Sequence, residues 1–364
     1  MHANGAGPPS APREKRVTVA VRVRPLSARE RQCGSSRVVG LAFKRVIVSD
    51  PVEVAHGGGG DPSAWSREFG FDAVFGDGGS AADQQDDVYR ALGLPVLAHA
   101  WTGFNSSIFA YGQTGSGKTH SMLGDDPTAS PASAPERGLI PRVCCGLFDA
   151  ADAHAAAYET AIEASYMEVY NETVRDLLLP TGKALRVREH PRDGACVPDL
   201  TLVRVCSREE LVALLQVGSK SRATAATRGN ARSSRSHAVF TLSLSRRKRR
   251  SGSEDGDGES AAPAAAAGDG DAWWAGLDLA AMPSSSKATI RLVDLAGSER
   301  VAVAGRVGIN RWPGISSNSS TSLKSNSFSM ILEPSIRSFP SSRRLERKLI
   351  WNRVVGILKS LFPS

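Results

Sequence analysis

The sequence predicts an α/β protein whose central mixed sheet has helices on both of its faces. Segments with the period-two alternation of strands follow segments with helical spacing along most of the chain, and that order is typical of a sheet covered by helices. A glycine-rich loop, GQTGSGKT, also stands between an apolar strand and the start of a helix. It fits the pattern G-x-x-x-x-G-K-[ST], which indicates a sheet of the P-loop NTPase type.

The elements before this loop can be assigned in order. Arg16–Pro25 alternates valine with polar or small residues, which predicts a strand with one buried face that ends at the proline. Weaker strand patterns follow at 38–54 and at Arg67–Phe75. Asp87–Phe104 has helical spacing, and Pro95 is expected to kink that helix because it lacks an N–H.

The elements after the loop continue the alternation. A capping box at Ser207 and Glu210 opens one of the helices, ahead of an apolar-periodic run. The other segments are predicted as a helix, a strand, a short turn of helix and two strands, over Leu139–Ala157, Thr160–Val169, Val174–Leu179, His237–Ser245 and Thr289–Leu295.

Composition divides the chain into a main domain at 16–300, a leader at 1–15 and a tail at 301–364. The leader is rich in Gly, Pro and Ala, and we expect it to be disordered. The tail is rich in Ser and basic residues, departs from the composition of the main domain, and is expected to be poorly ordered.

A low-complexity insertion at 246–287 interrupts the main domain, and we expect a disordered hairpin loop there. Its only aromatic residues, Trp273 and Trp274, have a docking motif as their alternative reading. The run RRKRR at its start is either a solvated part of the loop or a patch for nuclear import or polyanion binding.

The net charge of +8 does not argue for a nucleic-acid partner. Residues 301–364 hold ten basic and two acidic residues, so the tail carries the excess and the main domain is balanced. No apolar run is long enough to cross a membrane, and the N-terminus has no apolar signal region. Five cysteines without a C-x-x-C pair favour a reduced intracellular protein without a zinc site.

The glycine-rich loop predicts a site for a nucleoside triphosphate. Its backbone N–H groups would wrap the phosphate chain, and the helix that starts near Lys118 would add the positive end of its dipole. Lys118 would reach the β- and γ-phosphates, and the Thr119 hydroxyl would be a ligand of Mg²⁺. The loop residues that form this phosphate site are Gly112, Gln113, Thr114, Gly115, Ser116 and Gly117.

Two later segments have the motifs that a nucleotide switch requires in order to sense the γ-phosphate and place the attacking water. Asn230–His237 reads NARSSRSH, and Asp294–Glu299 reads DLAGSE at the end of an apolar strand. Together with YGQTGSGKT and the strand end Arg22-Val23-Arg24-Pro25, in this order, they resemble the kinesin motor domain. The resemblance runs from about Arg16 to Arg300 and implies the kinesin motor fold, with ATP and Mg²⁺ as cofactors.

Finer resemblance points to one kinesin group. The segment LRVREHP, followed by Gly194 and VPDL, is similar to the kinesin-3 transport motors, as is AATRGNARSSRSHAVFTLSL. In the family, the region from Arg188 to Val205 falls in a loop that touches tubulin.

The resemblance also implies roles for individual residues. Arg22, Arg24 and Pro25 would form one wall of the base pocket, with His120 on its other side. Ser234 would complete the Mg²⁺ shell with Thr119, while Asp294 holds a metal-bound water.

The catalytic roles implied by the resemblance lie in the two switch motifs. The Gly297 N–H would contact the γ-phosphate, and Arg235 and Glu299 would pair to close the site. With Ser233 and Asn230, that pair would order the attacking water and relay its proton. The alternative for Arg235 and Glu299 is an ordinary surface ion pair, which contributes at most about 1 kcal/mol.

The resemblance ends after Arg300, where the family continues with helices, a last strand and the neck linker. We therefore expect an incomplete motor fold in which the last strand is lost and microtubule contacts are weakened. A misread gene segment and a genuine divergent C-terminus would both produce this change in composition. No heptad run is visible, so no coiled coil is predicted.

These observations predict an ATP-dependent microtubule motor that is located in the cytoplasm on the microtubule cytoskeleton, with no nucleic-acid or membrane partner. The alternative is a non-motile, nucleotide-dependent binding module or a truncated motor without function. A signalling GTPase is disfavoured because the chain has no Asn/Thr-Lys-x-Asp base-reading motif after the second switch.

Overall fold

The computed structural model describes residues 17–35, 37–49, 66–76, 81–125, 137–179, 181–190, 194–227, 234–249, 273–277, 282–298 and 327–334. The strands are β1 (Thr18–Val23), β2 (Val39–Ala42), β3 (Arg45–Ser49), β4 (Ser66–Gly70), β5 (Ala73–Phe75), β6 (Ser106–Tyr111), β7 (Tyr158–Tyr170), β8 (Thr173–Asp176), β9 (Arg188–His190), β10 (Gly194–Cys196), β11 (Val203–Val205), β12 (His237–Lys248), β13 (Ser285–Asp294) and β14 (Ser327–Pro334). The helices are α1 (Ala28–Gln32), α2 (Ala81–Val88), α3 (Leu94–Trp101), α4 (Lys118–Leu123), α5 (Leu139–Ala153) and α6 (Arg208–Thr227), with a π-helical turn at Tyr89–Gly93 and a 3₁₀ turn at Trp273–Gly276.

A mixed sheet forms the centre of the protein, as the sequence predicts. In the part of the chain that the structure describes, eight of its nine strands follow the order β11-β7-β12-β13-β6-β14-β1-β5, and the ninth, β8, pairs with β7 outside that path. The pairs β13–β6 and β1–β5 are parallel and the other pairs are antiparallel. Two small sheets, β2-β3-β4 and β9-β10, stand apart from it.

The central strands bury both of their faces, so their sequences are apolar in succession rather than alternating. On one face, Ile108 and Leu292 pack in a large cluster with Leu97 and Trp101 of α3. On the other face, Phe109 and Val293 belong to a separate cluster that is also buried. Among the described residues, the buried residues of helices that join a cluster belong to the first cluster, on one face of the sheet. The helices predicted for the second face stay a prediction.

The strand β14 contradicts the expectation that the last strand of the sheet is missing. Ser327–Pro334 lies between β6 and β1 and pairs antiparallel with both, with Ser329 opposite Tyr111 and Thr18 opposite Leu332. Its sequence, SFSMILEP, contains a run of apolar residues, which suits a strand with neighbours on both sides. A strand in this position satisfies the backbone groups that β1 and β6 would otherwise leave unpaired.

The predicted turn of helix at Val174–Leu179 is wrong. Thr173–Asp176 is a strand that forms a hairpin with β7, in which Tyr170 pairs with Thr173. The connecting residues Asn171 and Glu172 both have positive φ, 48° and 58°, as the turns that match the twist of a hairpin require. The pairing with β7 overrides the weak local helical pattern.

The helix around Pro95 is irregular, as predicted. The π-helical turn at Tyr89–Gly93 leads directly into α3, where Pro95 occupies one of the first helical positions. Proline has no N–H and crowds the carbonyl of the preceding turn, so a wider turn before it relieves both constraints.

The tryptophan pair of the insertion packs against the main domain rather than forming an exposed docking motif. The ring of Trp273 meets Trp101 edge-on at a centroid distance of 6.3 Å, and its indole N–H donates to the Gly146 carbonyl at 3.4 Å. Trp274 meets His154 edge-on at 6.5 Å. The pair therefore attaches the end of the insertion to the large core cluster.

We expect Trp273→Ala to lower the free energy of unfolding by about 2 kcal/mol. This is less than a fully buried tryptophan would lose, because the ring is half-buried. Urea denaturation followed by circular dichroism measures it. Trp273→Phe keeps an aromatic ring against Trp101 and should lose about half as much. An alanine variant with the wild-type midpoint would show that the contact adds nothing to stability.

Candidate functional site

The predicted phosphate loop connects β6 to α4, with Gly112–Gly117 between them. Gly115 and Gly117 have φ of 78° and 95°. A Cβ at either position would have no atom within 4 Å. These two positions therefore favour glycine because of their left-handed backbone.

Lys118 is folded into the loop that precedes it. Its ammonium donates to the carbonyl oxygens of Gly112 and Gln113, at 2.9 Å in each case, and the residue is only 8% exposed. Ser116 is also buried within the loop. The loop thus holds a positive charge among backbone groups, which is an arrangement suited to an anionic phosphate chain.

Thr119 and Asp294 meet at the end of the neighbouring parallel strands β6 and β13. The Thr119 hydroxyl donates to Asp294 Oδ2 at 2.8 Å, which joins the phosphate loop to the start of DLAGSE. The same carboxylate oxygen accepts a hydrogen bond from Arg222 Nη1 at 2.7 Å. Arg222 lies on α6, and both members of this ion pair are buried.

The guanidinium of Arg222 stays charged in this buried position. Burial lowers the pKa of Arg222, but the negative charge of Asp294, with smaller contributions from Tyr166 and Glu168, raises it above the ordinary value. A second nitrogen, Nη2, donates to the Ser236 carbonyl at 3.2 Å. Arg222 therefore connects Asp294 with the end of NARSSRSH.

Backbone hydrogen bonds join the two switch motifs to each other and to the phosphate loop. The Gly297 N–H donates to the Ser234 carbonyl at 2.7 Å, and the Ser298 N–H donates to the Gly112 carbonyl at 3.0 Å. The sequence assigns the Gly297 N–H to the γ-phosphate, so the peptide has to turn away from Ser234 before it could make that contact.

His237 lies between the switches as a neutral ring. Burial lowers the pKa of His237, and the positive charge of Arg222 lowers it further. Its Nδ1 accepts a hydrogen bond from the Ala296 N–H at 3.1 Å, which requires that this nitrogen carry no proton. A neutral imidazole therefore supports the DLAGSE segment.

Arg22, one of the predicted base-side residues, lies close to His120, and its role as a wall of the base pocket stays a prediction. It is 6% exposed, and its Nη1 donates to Gln85 Oε1 and to Ser121 Oγ, at 2.9 Å in both cases. Burial lowers the pKa of Arg22 to about 10, while the charge of Asp125 opposes the shift. Arg22 also contacts the ring of His120, with Nη2 3.5 Å from its Nε2.

Arg24 and Pro25 are held by the first helix. Arg24 Nη2 donates to both carboxylate oxygens of Glu30, at 2.8 and 3.0 Å, and Nη1 donates to the Pro25 carbonyl. Glu30 also closes a capping box with Ser27 at the start of α1. The hydrogen bond from Arg24, together with those from Ser27, lowers the pKa of Glu30 to about 2.

The residues at the loop fit an Mg²⁺ ion bound largely through water and phosphate. Asp294 Oδ1 is buried and has no hydrogen-bond partner among the described residues, while Oδ2 bonds to Thr119. Mg²⁺ prefers oxygen ligands and keeps several waters, so a free carboxylate oxygen beside a hydroxyl suits it. The described residues hold no group of three or more His, Cys, Asp or Glu that could bind a metal without such waters.

For four predicted catalytic residues, the described part of the chain shows no contact that supports the predicted role. Arg235 is described and exposed. Asn230, Ser233 and Glu299 lie outside the described residues, so their predicted contacts stay predictions.

The sequence reasoning missed Arg222, Gln85 and His237. Arg222 follows Gly218 by one helical turn on α6, and no local pattern in the sequence marks it. A Cβ at Gly218 would lie 2.1 Å from the ring of Tyr166, so only glycine lets this face of the helix approach β7. That approach brings Arg222 to the buried carboxylate.

Comparisons with known proteins agree with this arrangement. The profile of the kinesin motor domain matches residues 22–329, and so extends beyond the point where the motif resemblance ends. The human kinesin-like protein KIF13A is 36% identical over 312 residues, which cover 84% of this chain and 15% of that protein. Kinesin-related protein 1 of Dictyostelium discoideum is 36% identical over 332 residues, covering 88% of this chain and 13% of that protein.

A solved structure of a fast kinesin shares the fold. It superposes with a TM-score of 0.59 at 28% identity, over 80% of this chain and 68% of that chain. The chain spans less than a fifth of the length of KIF13A and of the Dictyostelium relative. None of the helices in the described ranges combines the length and apolar character needed to cross a bilayer.

Proposed function

The chain belongs to the kinesin motor domain family, and on that premise we propose that it is an ATP-dependent microtubule motor. It binds ATP with Mg²⁺ at the phosphate loop, hydrolyses it by attack of water on the γ-phosphate, and couples this reaction to microtubule binding and movement. The prediction of a kinesin-3-like chain is confirmed, since KIF13A, KIF13B, KIF1C and KIF16B are kinesin-3 members.

One observation carries this proposal: the phosphate loop and both switch motifs converge. Thr119 bonds to Asp294, Gly297 bonds to Ser234, and Ser298 bonds to Gly112. A change at the γ-phosphate would therefore reach both switches through direct hydrogen bonds, as a nucleotide-driven motor requires.

The residues of the chain divide the chemistry among them. Lys118 would bind the β- and γ-phosphates, the hydroxyls of Thr119 and Ser234 would hold the metal, and Asp294 would hold it through water. When bound, Mg²⁺ neutralises the charge that develops on the phosphate oxygens. The water that attacks is placed by two switch polar residues and a closing ion pair, namely Asn230, Ser233, Arg235 and Glu299.

The proposed partner is the microtubule, and the proposed location is the cytoplasmic cytoskeleton. The hairpin of β9 and β10, from Arg188 to Cys196, belongs to the region that resembles a tubulin-contacting loop. The basic residues of 301–364 would add a salt-dependent attraction to the acidic microtubule surface, without replacing the contacts of the family's last helices.

The steady-state ATPase rate of the purified chain, with and without microtubules, tests the proposal. We expect stimulation of about tenfold or more, because microtubule binding completes the switch cycle. Lys118→Ala is the control, since it should lose the activity under both conditions. A slow ATPase rate that microtubules do not change would contradict the motor. If the chain also cosediments with microtubules in a nucleotide-dependent way, the non-motile binding module is the better description.

A further inference from the structure

We propose that Asp125 is a positioning residue for the nucleotide base, because it fixes the tautomer and the ring plane of His120. The inference rests on the proposed function, since it concerns the base side of the same nucleotide site. Asp125 follows Gly124, the residue that ends α4 with a φ of 92°. Asp125 is the next residue, and its Oδ1 comes to 2.5 Å from His120 Nδ1.

The proton positions around His120 follow from the donors and acceptors beside it. Arg22 has only N–H donors, so the atom of Gln85 that faces its Nη1 at 2.9 Å is the amide oxygen. The amide nitrogen of Gln85 must then face His120, where it donates to the carbonyl oxygen at 2.9 Å and approaches Nε2 at 3.2 Å.

His120 Nε2 is therefore an acceptor and carries no proton. Two donors lie beside it, the Gln85 amide and Arg22 Nη2. If Nε2 carried a proton, three N–H groups would point at one another with no acceptor between them. The proton of the neutral ring then lies on Nδ1, which donates to Asp125. Among the described residues, the acceptor for that proton is Asp125.

Both ring nitrogens are thus engaged by the protein, and the ring has only its faces to offer a ligand. A purine or other aromatic base can stack on such a face. The side chains of His120 and Asp125 are 31% and 64% exposed. An ion pair or hydrogen bond this exposed contributes little to stability, so the effect of Asp125 should appear in nucleotide affinity and not in folding.

The test compares Asp125→Ala with Asp125→Asn, with the exposed Asp152→Asn on α5 as the matched control. Wild type and variants are titrated with Mg·ATP for the dissociation constant and assayed for kcat and KM. Asp125→Ala is expected to weaken ATP binding and to raise KM about threefold to tenfold. This is a part of the affinity that stacking on one aromatic ring contributes, because the ring is still present but no longer held in place. The kcat should stay within about twofold. Asp125→Asn keeps an acceptor oxygen and should restore most of the affinity.

Nitrogen-15 spectra of the imidazole give a direct readout. Wild type and Asp125→Asn should show His120 protonated at Nδ1, and Asp125→Ala should lose that single tautomer. In a His120→Phe background the Asp125→Ala change should have no effect on the dissociation constant, since the group it positions is absent.

Two results would overturn the inference: an unchanged dissociation constant in Asp125→Ala, or a loss that persists in the His120→Phe background. A chain that binds ATP without hydrolysing it would contradict the proposed function alone, because the dissociation constant still measures the role of Asp125. A chain that binds no ATP would contradict both.

Discussion

Arg222→Ala is expected to lower the free energy of unfolding by about 3–5 kcal/mol, the range found when one partner of a buried ion pair is removed. Arg222 and Asp294 are 6% and 3% exposed, and their side chains meet at 2.7 Å. Without the guanidinium, the Asp294 carboxylate would be a buried charge opposed by no cation of comparable proximity among the described residues. The Ser236 carbonyl would also lose a donor.

The same variant should weaken the response to Mg²⁺. Asp294 Oδ2 accepts hydrogen bonds from both Thr119 and Arg222. The other oxygen, Oδ1, accepts none from the described residues and is available to a metal-bound water. When Arg222 is absent, the carboxylate is no longer held in that orientation. We expect a higher Mg²⁺ concentration for half-maximal ATPase activity, at a temperature where the variant is still folded.

Chemical denaturation measures the first effect, and Arg208→Ala is its matched control. Arg208 is on the same helix and pairs with Asp149, but both side chains are more than a third exposed. Its removal should cost about 1 kcal/mol or less. Equal losses in the two variants would mean that burial of the Arg222 pair is unimportant, and the assignment of Arg222 to the site would fail.

Met330→Pro should be the second large effect, with a loss of about 3 kcal/mol or more. Met330 lies in the middle of β14 and is paired with Ala20 on one side and Ala110 on the other. A proline there removes a ladder hydrogen bond at the centre of the sheet and forces its ring against a neighbouring strand. The strand next to β14 leads into the phosphate loop, so ATP binding should weaken as well.

The control for this variant is Met330→Leu, which keeps the backbone N–H that proline removes. Thermal denaturation should separate the two, with a lower midpoint for Met330→Pro only. If Met330→Pro has the midpoint of the wild type, residues 327–334 do not form the central strand in solution, and the original expectation of an incomplete sheet would stand.

Prediction from the sequence succeeded where the information is local. The alternation of valines before Pro25 predicted β1, and GQTGSGKT predicted the loop between β6 and α4. It failed at Val174–Leu179, where pairing with β7 decided the conformation of a short segment. It gave no sign that Arg22 is buried, because its partners Gln85 and Ser121 are 63 and 99 residues away in the chain.

The sequence by itself determined the class of the fold, the phosphate loop and the two switch motifs, because each of these depends on residues that are close together in the chain. Only the tertiary structure decided which groups meet at the site. Arg222 and Asp294 are 72 residues apart, and Thr119 and Asp294 are 175 apart. Such contacts depend on how α6 packs on β7 through Gly218 and on the order of strands in the sheet. No local spacing encodes either of these, and the place of β14 between β1 and β6 was hidden for the same reason.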